Sequence, residues 1–344
     1  MKALLIGGTG IISAEITRLL AAHPDWEVWV LNRGRRGPLP PGVRVLTADM
    51  ADEAGVMKVL SGLTFDTVAD FIAFTPADIE RDLRLFSGRT GQYIFISSAS
   101  AYQKPLSHYL IDESTPLSNP FWRYSRDKIA CEERLTAAYR QDGFPMTIVR
   151  PSHTYSDRSL PVALHGDKGA WQVVERMRQG KPVIVPGDGT SLWTVTHSED
   201  FAKGFVGLMG NVHALGEAVQ ITSDEALTWN QIHGIIGAAL GVQPDLRHIP
   251  TDFLAACLGP RADGLTGDKA HSAVFDNAKL KRLVPGFQAT IRFDQGARRS
   301  LRRMLDEPAL QVADPAFDAW CDRLLALWDR TMEEARRIPY GGQI

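Results

Sequence analysis

Cysteine is scarce: the chain of 344 residues holds Cys131, Cys257 and Cys321 only, too far apart for a metal-ligand pair and odd in number for a disulfide framework. That scarcity predicts a reducing, cytoplasmic setting. Charge of one sign is missing as well. With 38 basic and 40 acidic residues the formal net charge is -2, so no overall field holds a polyanion at the surface, which argues against nucleic acid as a main partner. Long apolar runs are absent. The stretch Ala3 to Ile6 ends in glycines, shorter than the core of a signal peptide and far shorter than a membrane span, so no membrane association is expected. There is no internal repeat and no low-complexity tract, and the densest breaker cluster, residues 35–42 with Pro38, Pro40 and Pro41, is loop-sized. His108, His165, His197 and His271 lack ligand spacing, so no metal site is predicted.

What is present is a regular alternation of short apolar runs and amphipathic stretches. Strands are expected at Lys2 to Ile6, Val28 to Leu31, Val43 to Leu46, Thr67 to Phe71, Tyr93 to Ile96 and Met146 to Val149. Helical spacing lies between them, from Ile12 to Leu20 and near Ala54 to Leu60, Pro76 to Phe86 and Arg126 to Tyr139. Such alternation predicts an α/β fold with a doubly wound parallel sheet of the Rossmann type, covered on both faces. Residues 1–154 are expected to form this nucleotide-binding domain, with segments near 191–222 returning to it. Residues 155–344 are expected to supply a smaller α/β substrate domain and C-terminal helices. The cleft between the two is the expected substrate site.

Gly7-Gly8-Thr9-Gly10-Ile11-Ile12 joins the first strand to the first helix, where backbone amides and the helix dipole can hold a pyrophosphate. Gly7, Thr9, Gly10, Ile11 and Ile12 are therefore candidate cofactor contacts. The second strand ends Asn32-Arg33-Gly34-Arg35-Arg36, where an NAD-selective site carries an acid. Arg33, backed by Arg35 or Arg36, suits the 2′-phosphate of NADP over NAD, unless this is only a solvated basic loop with Asn32 on a ribose hydroxyl. Asp49 and Met50 follow the third strand, and Asp49 faces the adenine or caps the next helix. Tyr124 and Lys128 stand one helical turn apart, so that a cation beside the phenol can draw its pKa down and fit it for proton exchange with an alcohol or carbonyl.

Together with Ser97-Ser98-Ala99-Ser100-Ala101-Tyr102, Arg150-Pro151, Gly187-Asp188-Gly189-Thr190, His197 to Asp200, Asp276 to Lys279 and Phe293 to Gly296, these residues resemble the extended short-chain dehydrogenase/reductase superfamily. Within it, the NAD-dependent epimerase/dehydratase branch is the nearest pattern, over nearly the whole chain. The resemblance implies an NAD(P)-dependent oxidoreductase. Tyr124 would be its acid/base, Lys128 the ribose-binding cation, and Ser98 the hydroxyl on the reacting oxygen, with Ser100 reaching substrate. It also implies cofactor contacts at Phe71 and Ala73, with Phe71 the more core-like of the two, and at Ser97, Pro151 and His153. A homodimer through helices including the one that bears Tyr124 is the assembly expected.

The substrate side departs from the sugar-nucleotide pattern. Trp193 stands where relatives that hold a nucleotide diphosphate carry arginine, so the substrate would lack that group and stack on the indole, unless Trp193 is core and Arg261 or Arg292 substitutes. His153 is either a satisfied structural residue or a substrate donor, and Trp122 and Tyr155 read as packing. The acidic pairs Asp112-Glu113 and Glu132-Glu133 read as solvated or capping. The expectation is a small, carbohydrate-like substrate and hydride transfer at a hydroxyl or carbonyl carbon. An NADPH-dependent carbonyl reductase is the alternative, and a non-enzymatic RNA-binding or redox-sensing role the remote one.

Overall fold

The computed structural model describes residues 1–34 and 39–338; Arg35 and Arg36 lie outside the described residues. Strands β1 (Lys2–Ile6), β2 (Glu27–Asn32), β3 (Arg44–Thr47), β4 (Thr67–Asp70), β5 (Tyr93–Ile96), β6 (Met146–Pro151) and β7 (Ala218–Ile221) form one sheet. Its order is β7-β6-β5-β4-β1-β2-β3, and every neighbouring pair is parallel. All residues of β4, β5 and β6 are buried, as a parallel sheet covered on both faces requires. Side chains alternate between the faces. Leu4 and Ile6 join the core under α2 (Glu53–Val59), α3 (Pro76–Phe86) and α4 (Arg123–Asp142), whereas Ala3 and Leu5 join the core under α1 (Ser13–Ala21) and the helix Ser198–Leu208.

Local chemistry sets the helix ends. Thr75 and Asp78 form a reciprocal capping box, Pro76 opens α3, and Gly143 closes α4 in the left-handed region at φ 69°. Asn119 accepts from the amides of Phe121 and Trp122, so α4 begins at Arg123, earlier than the apolar spacing from Arg126 suggests.

After β6 the strand His153–Tyr155 leaves the large sheet and pairs with Leu192–His197, which pairs in turn with Ala226–Thr228. Two further pairs, Val183–Pro186 with Leu246–Ile249 and Leu110–Ile111 with Val274–Phe275, surround a core that includes Trp171, Trp193 and Trp229. The chain then returns: Ser198–Leu208 packs on α1, and β7 pairs with β6. Leu265–Lys269 is π-helical, a geometry that recurs at functional sites. No helix among the described residues is long and apolar enough to cross a membrane.

Candidate active site

The carboxyl ends of β1, β2 and β4 open onto a groove of about 820 Å³ lined by Gly7, Thr9, Gly10, Ile11, Ile12 and Ser13 on one wall. Its far end carries Asn32, Arg33, Asp49 and Met50, and Phe71, Phe74 and Arg81 complete it. Gly7 has φ +81°, and a Cβ there would meet Ile72 Cγ2 at 2.6 Å, so the turn is closed to larger residues. Ser13 fastens the turn by donating to the Gly7 carbonyl at 2.7 Å and accepting the Gly10 amide at 2.8 Å. The amides of Ile11 and Ile12 find no acceptor among the described residues, at the mouth of α1.

At the far end of the groove, the Asn32 side chain accepts the Gly34 amide at 2.7 Å, and the exposed Arg33 guanidinium stands 3.9 Å from Asp49. Asp49 accepts the Ala51 amide at 3.1 Å; the cap of α2 is Asp52, which takes the Gly55 amide, so of the two roles open to Asp49 the helix cap is excluded. Phe71 lines the groove while its ring packs on Phe205 at 5.5 Å.

A second cavity of about 390 Å³ shares Ile12 with the groove and is lined by Ser98, Ser100, Trp122, Tyr124, Pro151 and His153, among others. Ser98 follows β5, and Tyr124 stands in the first turn of α4 between Trp122, at 4.8 Å between ring centroids, and Phe74, at 6.4 Å. A chain of hydroxyls backs the site: Ser125 donates to Ser100 at 2.8 Å, and Ser100 lies 2.9 Å from Ser98. Lys128 is buried one turn on. Its ammonium donates to the carbonyls of Ala73 at 2.7 Å and Ile96 at 2.6 Å, which leaves the third N–H for a ligand. It sits 5.8 Å from the Tyr124 ring centroid.

In this geometry burial raises the phenol of Tyr124, with Ser98 pulling the other way, so the expected depression of the phenol by Lys128 is not what the structure shows. The ammonium is tied to carbonyls instead. Burial draws Lys128 itself from 10.5 to about 8. Because the folded value lies below the unfolded one, the cost of burying the cation is complete below about pH 8 and fades as pH rises toward 10.5. Chemical-denaturation series should therefore show wild type gaining stability relative to Lys128→Met across that window. A pH-independent difference would refute a desolvated ammonium.

Several expected contacts fall elsewhere. Ser97 is turned away from the groove, and its hydroxyl donates to Glu132 at 2.5 Å. Ala73 is buried and acts through its carbonyl on Lys128. Glu132 is no solvated helix charge: it is buried against Arg150, with an Nη2–Oε2 distance of 2.5 Å. Trp193 touches the cavity, but it is 2% exposed, with Trp229 at 5.1 Å and the Lys269 ammonium at 4.9 Å over its rings, so no indole face is free for stacking. Arg261 pairs with Asp167 and Arg292 with Asp294, and neither lines either cavity. His153 lines the cavity edge-on to Trp193; its Nδ1 is enclosed without a partner among the described residues, and burial pushes its pKa well below the ordinary value, keeping the ring neutral. Trp122, read as packing, is a wall of the cavity. Lys104, Asp268 and Lys269 also line it and went unnoticed in the sequence; the one local sign was Gly267-Asp268-Lys269, a breaker followed by two opposite charges.

Residues 3–221 match the family described as NAD dependent epimerase/dehydratase. Over 292 residues the chain is 27% identical to 2′-dehydrokanamycin reductase of Streptomyces kanamyceticus, covering 84% of this chain and 80% of that protein. Over 272 residues it is 26% identical to a chloroplast stem-loop binding protein of 41 kDa from Arabidopsis thaliana, covering 73% and 67%. Among solved structures, a dTDP-glucose 4,6-dehydratase from Bacillus anthracis in complex with NAD superposes with TM-score 0.72 at 16% identity, over 90% of this chain and 98% of that one. A UDP-glucuronic acid 4-epimerase from Bacillus cereus in complex with NAD gives 0.69 at 16%, over 89% and 99%. With the glycine turn, the parallel sheet and the span of the match in agreement, the chain belongs to the NAD dependent epimerase/dehydratase family.

Proposed function

We propose that this protein is an NAD(P)-dependent oxidoreductase acting at a hydroxyl or carbonyl carbon of a carbohydrate, with Tyr124 as its proton donor and acceptor. The observation that carries this reading is the junction of the two cavities: Tyr124 and Ser98 line the smaller one, which meets the nucleotide-shaped groove at Ile12. The tight approach at Gly7 and the free amides of Ile11 and Ile12 fit a dinucleotide. Those amides would hold its pyrophosphate, Arg33 and Asp49 its adenosine end, and Lys128 its nicotinamide ribose. A nicotinamide bound there supplies or accepts the hydride.

The chain's own part is the proton. As the ionised phenol, Tyr124 Oη takes it from the substrate hydroxyl on oxidation, and as the neutral phenol it gives it to the carbonyl oxygen on reduction, while Ser98 Oγ hydrogen-bonds that oxygen. Ser100 and Ser125 fix the Ser98 hydroxyl from behind.

Arg33 favours NADP(H), and with it a reductase that exchanges cofactor at every turnover. The 27% identical relative is named a reductase, which points the same way. The assay is net NADPH consumption with oxidised sugars, set against nucleotide that stays with the protein through desalting, as an epimerase would hold it. Arg33→Gln should weaken NADPH binding about tenfold and leave NADH unchanged, since it removes one charge-assisted bond to a phosphate. Equal loss for both nucleotides would remove Arg33 as the selector, and binding of neither would overturn the oxidoreductase reading.

A further inference from the structure

Lys104 is 3% exposed, lines the smaller cavity, and has neither a hydrogen-bond acceptor nor a carboxylate within 4 Å among the described residues. Its ammonium is not among the enclosed atoms of the described residues, so it meets solvent only through the cavity it lines, where an anionic ligand group can take the place of that water. The surrounding charges define that ligand. Asp268 and Lys269 come from the π-helical segment on the same cavity and are paired to each other at 3.1 Å, so they cancel. His153 stays neutral. One positive charge therefore remains unbalanced, on Lys104, in the space that holds Ser98 and Tyr124.

We propose that Lys104 is a specificity-determining residue that binds a carboxylate of the substrate, making the preferred substrate a sugar acid. This rests on the oxidoreductase reading above. A single carboxylate balances the one free cation; a phosphate dianion or a diphosphate would bring excess negative charge against Asp268. The cavity, at about 390 Å³, sits near the lower end of small-molecule sites and suits a compact ligand. Burial lowers the pKa of Lys104 and Asp268 opposes that shift, so a bound carboxylate also steadies the charged form.

The test is calorimetric titration of the nucleotide-loaded protein with three probes on one scaffold: D-glucuronate, D-glucose and D-glucosamine. Wild type should bind glucuronate about tenfold or more tightly than the other two, the worth of one charge-assisted hydrogen bond. Lys104→Met should abolish that preference with nucleotide affinity intact, and Lys104→Arg should keep it. Wild type that binds glucose or glucosamine as tightly, binds none of the three, or a preference that survives Lys104→Met, overturns the assignment. If the nucleotide binds and only the discrimination is missing, the carboxylate site alone falls; if the nucleotide does not bind, the oxidoreductase reading falls and this assignment with it.

Discussion

Tyr124→Phe will lower kcat by about 10²- to 10⁴-fold, the range for losing a positioned general acid/base, while nucleotide affinity stays at the wild-type level. The substitution removes one oxygen and no packing. The phenyl ring keeps its contacts with Trp122 at 4.8 Å and Phe74 at 6.4 Å, so the first turn of α4 has no reason to move. Lys128, one turn on, holds the Ala73 and Ile96 carbonyls in either variant. The loss should therefore fall on turnover and spare substrate binding, which steady-state kinetics beside a nucleotide titration will separate. If Tyr124→Phe retains more than about a tenth of wild-type kcat, proton transfer does not run through this phenol.

Glu132→Ala will destabilise the fold by about 3–5 kcal/mol, the cost of leaving a buried charge without its partner. The Glu132 and Arg150 side chains are 4% and 5% exposed, so solvent screening offers little relief. Glu132 accepts from Arg150 Nε at 3.0 Å and Nη2 at 2.5 Å and from Ser97 at 2.5 Å, and the Arg150 guanidinium lies 4.9 Å from the Tyr102 ring. Removing the carboxylate strands the Arg150 cation between β6 and α4. Denaturant midpoints for Glu132→Ala, Arg150→Met and the double variant form the cycle that isolates the pair. The double variant should recover part of the loss, because it removes the desolvation cost of both ions while alanine leaves a cavity in place of the Glu132 side chain. A single-variant loss below about 1 kcal/mol would mean that the pair behaves like a surface ion pair.

Features that one segment specifies by itself were legible in the sequence. The Thr75-Pro76 start of α3 is written in four neighbouring residues, and the glycine turn needs only its flanking strand and helix. Tyr124, Lys128 and Ser98 came from spacing and resemblance; Tyr124 and Ser98 line the smaller cavity, and Lys128 stands one turn along α4 from Tyr124. What stayed hidden depends on distant partners. A glutamate in a charged stretch of α4 looks solvated until Arg150 arrives 18 residues later to pair with it. Ser97 and Ser98 are indistinguishable as letters, yet successive residues leaving a strand point opposite ways, one to Glu132 and the other to the cavity. Trp193 suits a binding face or a core equally well; Trp229 and Lys269 from other segments decide for the core. Asp268 and Lys269 reach the site through a π-helical turn that no periodic pattern announces.

The late return of β7 to the edge of the sheet has a consequence for synthesis. Six of the seven strands have been made once residue 151 is joined, but the edge beside β6 stays open until residues 218–221 follow. Two buried side chains of the early sheet wait on the same stretch: Gln92 donates to the Leu208 carbonyl and Thr147 to that of Ala214. A chain still on the ribosome thus exposes a strand edge and two polar side chains short of their final partners while the intervening lobe is translated. Cutting the gene after β6 would make that interim state permanent, so a chain ended at residue 151 should not fold as a separate module.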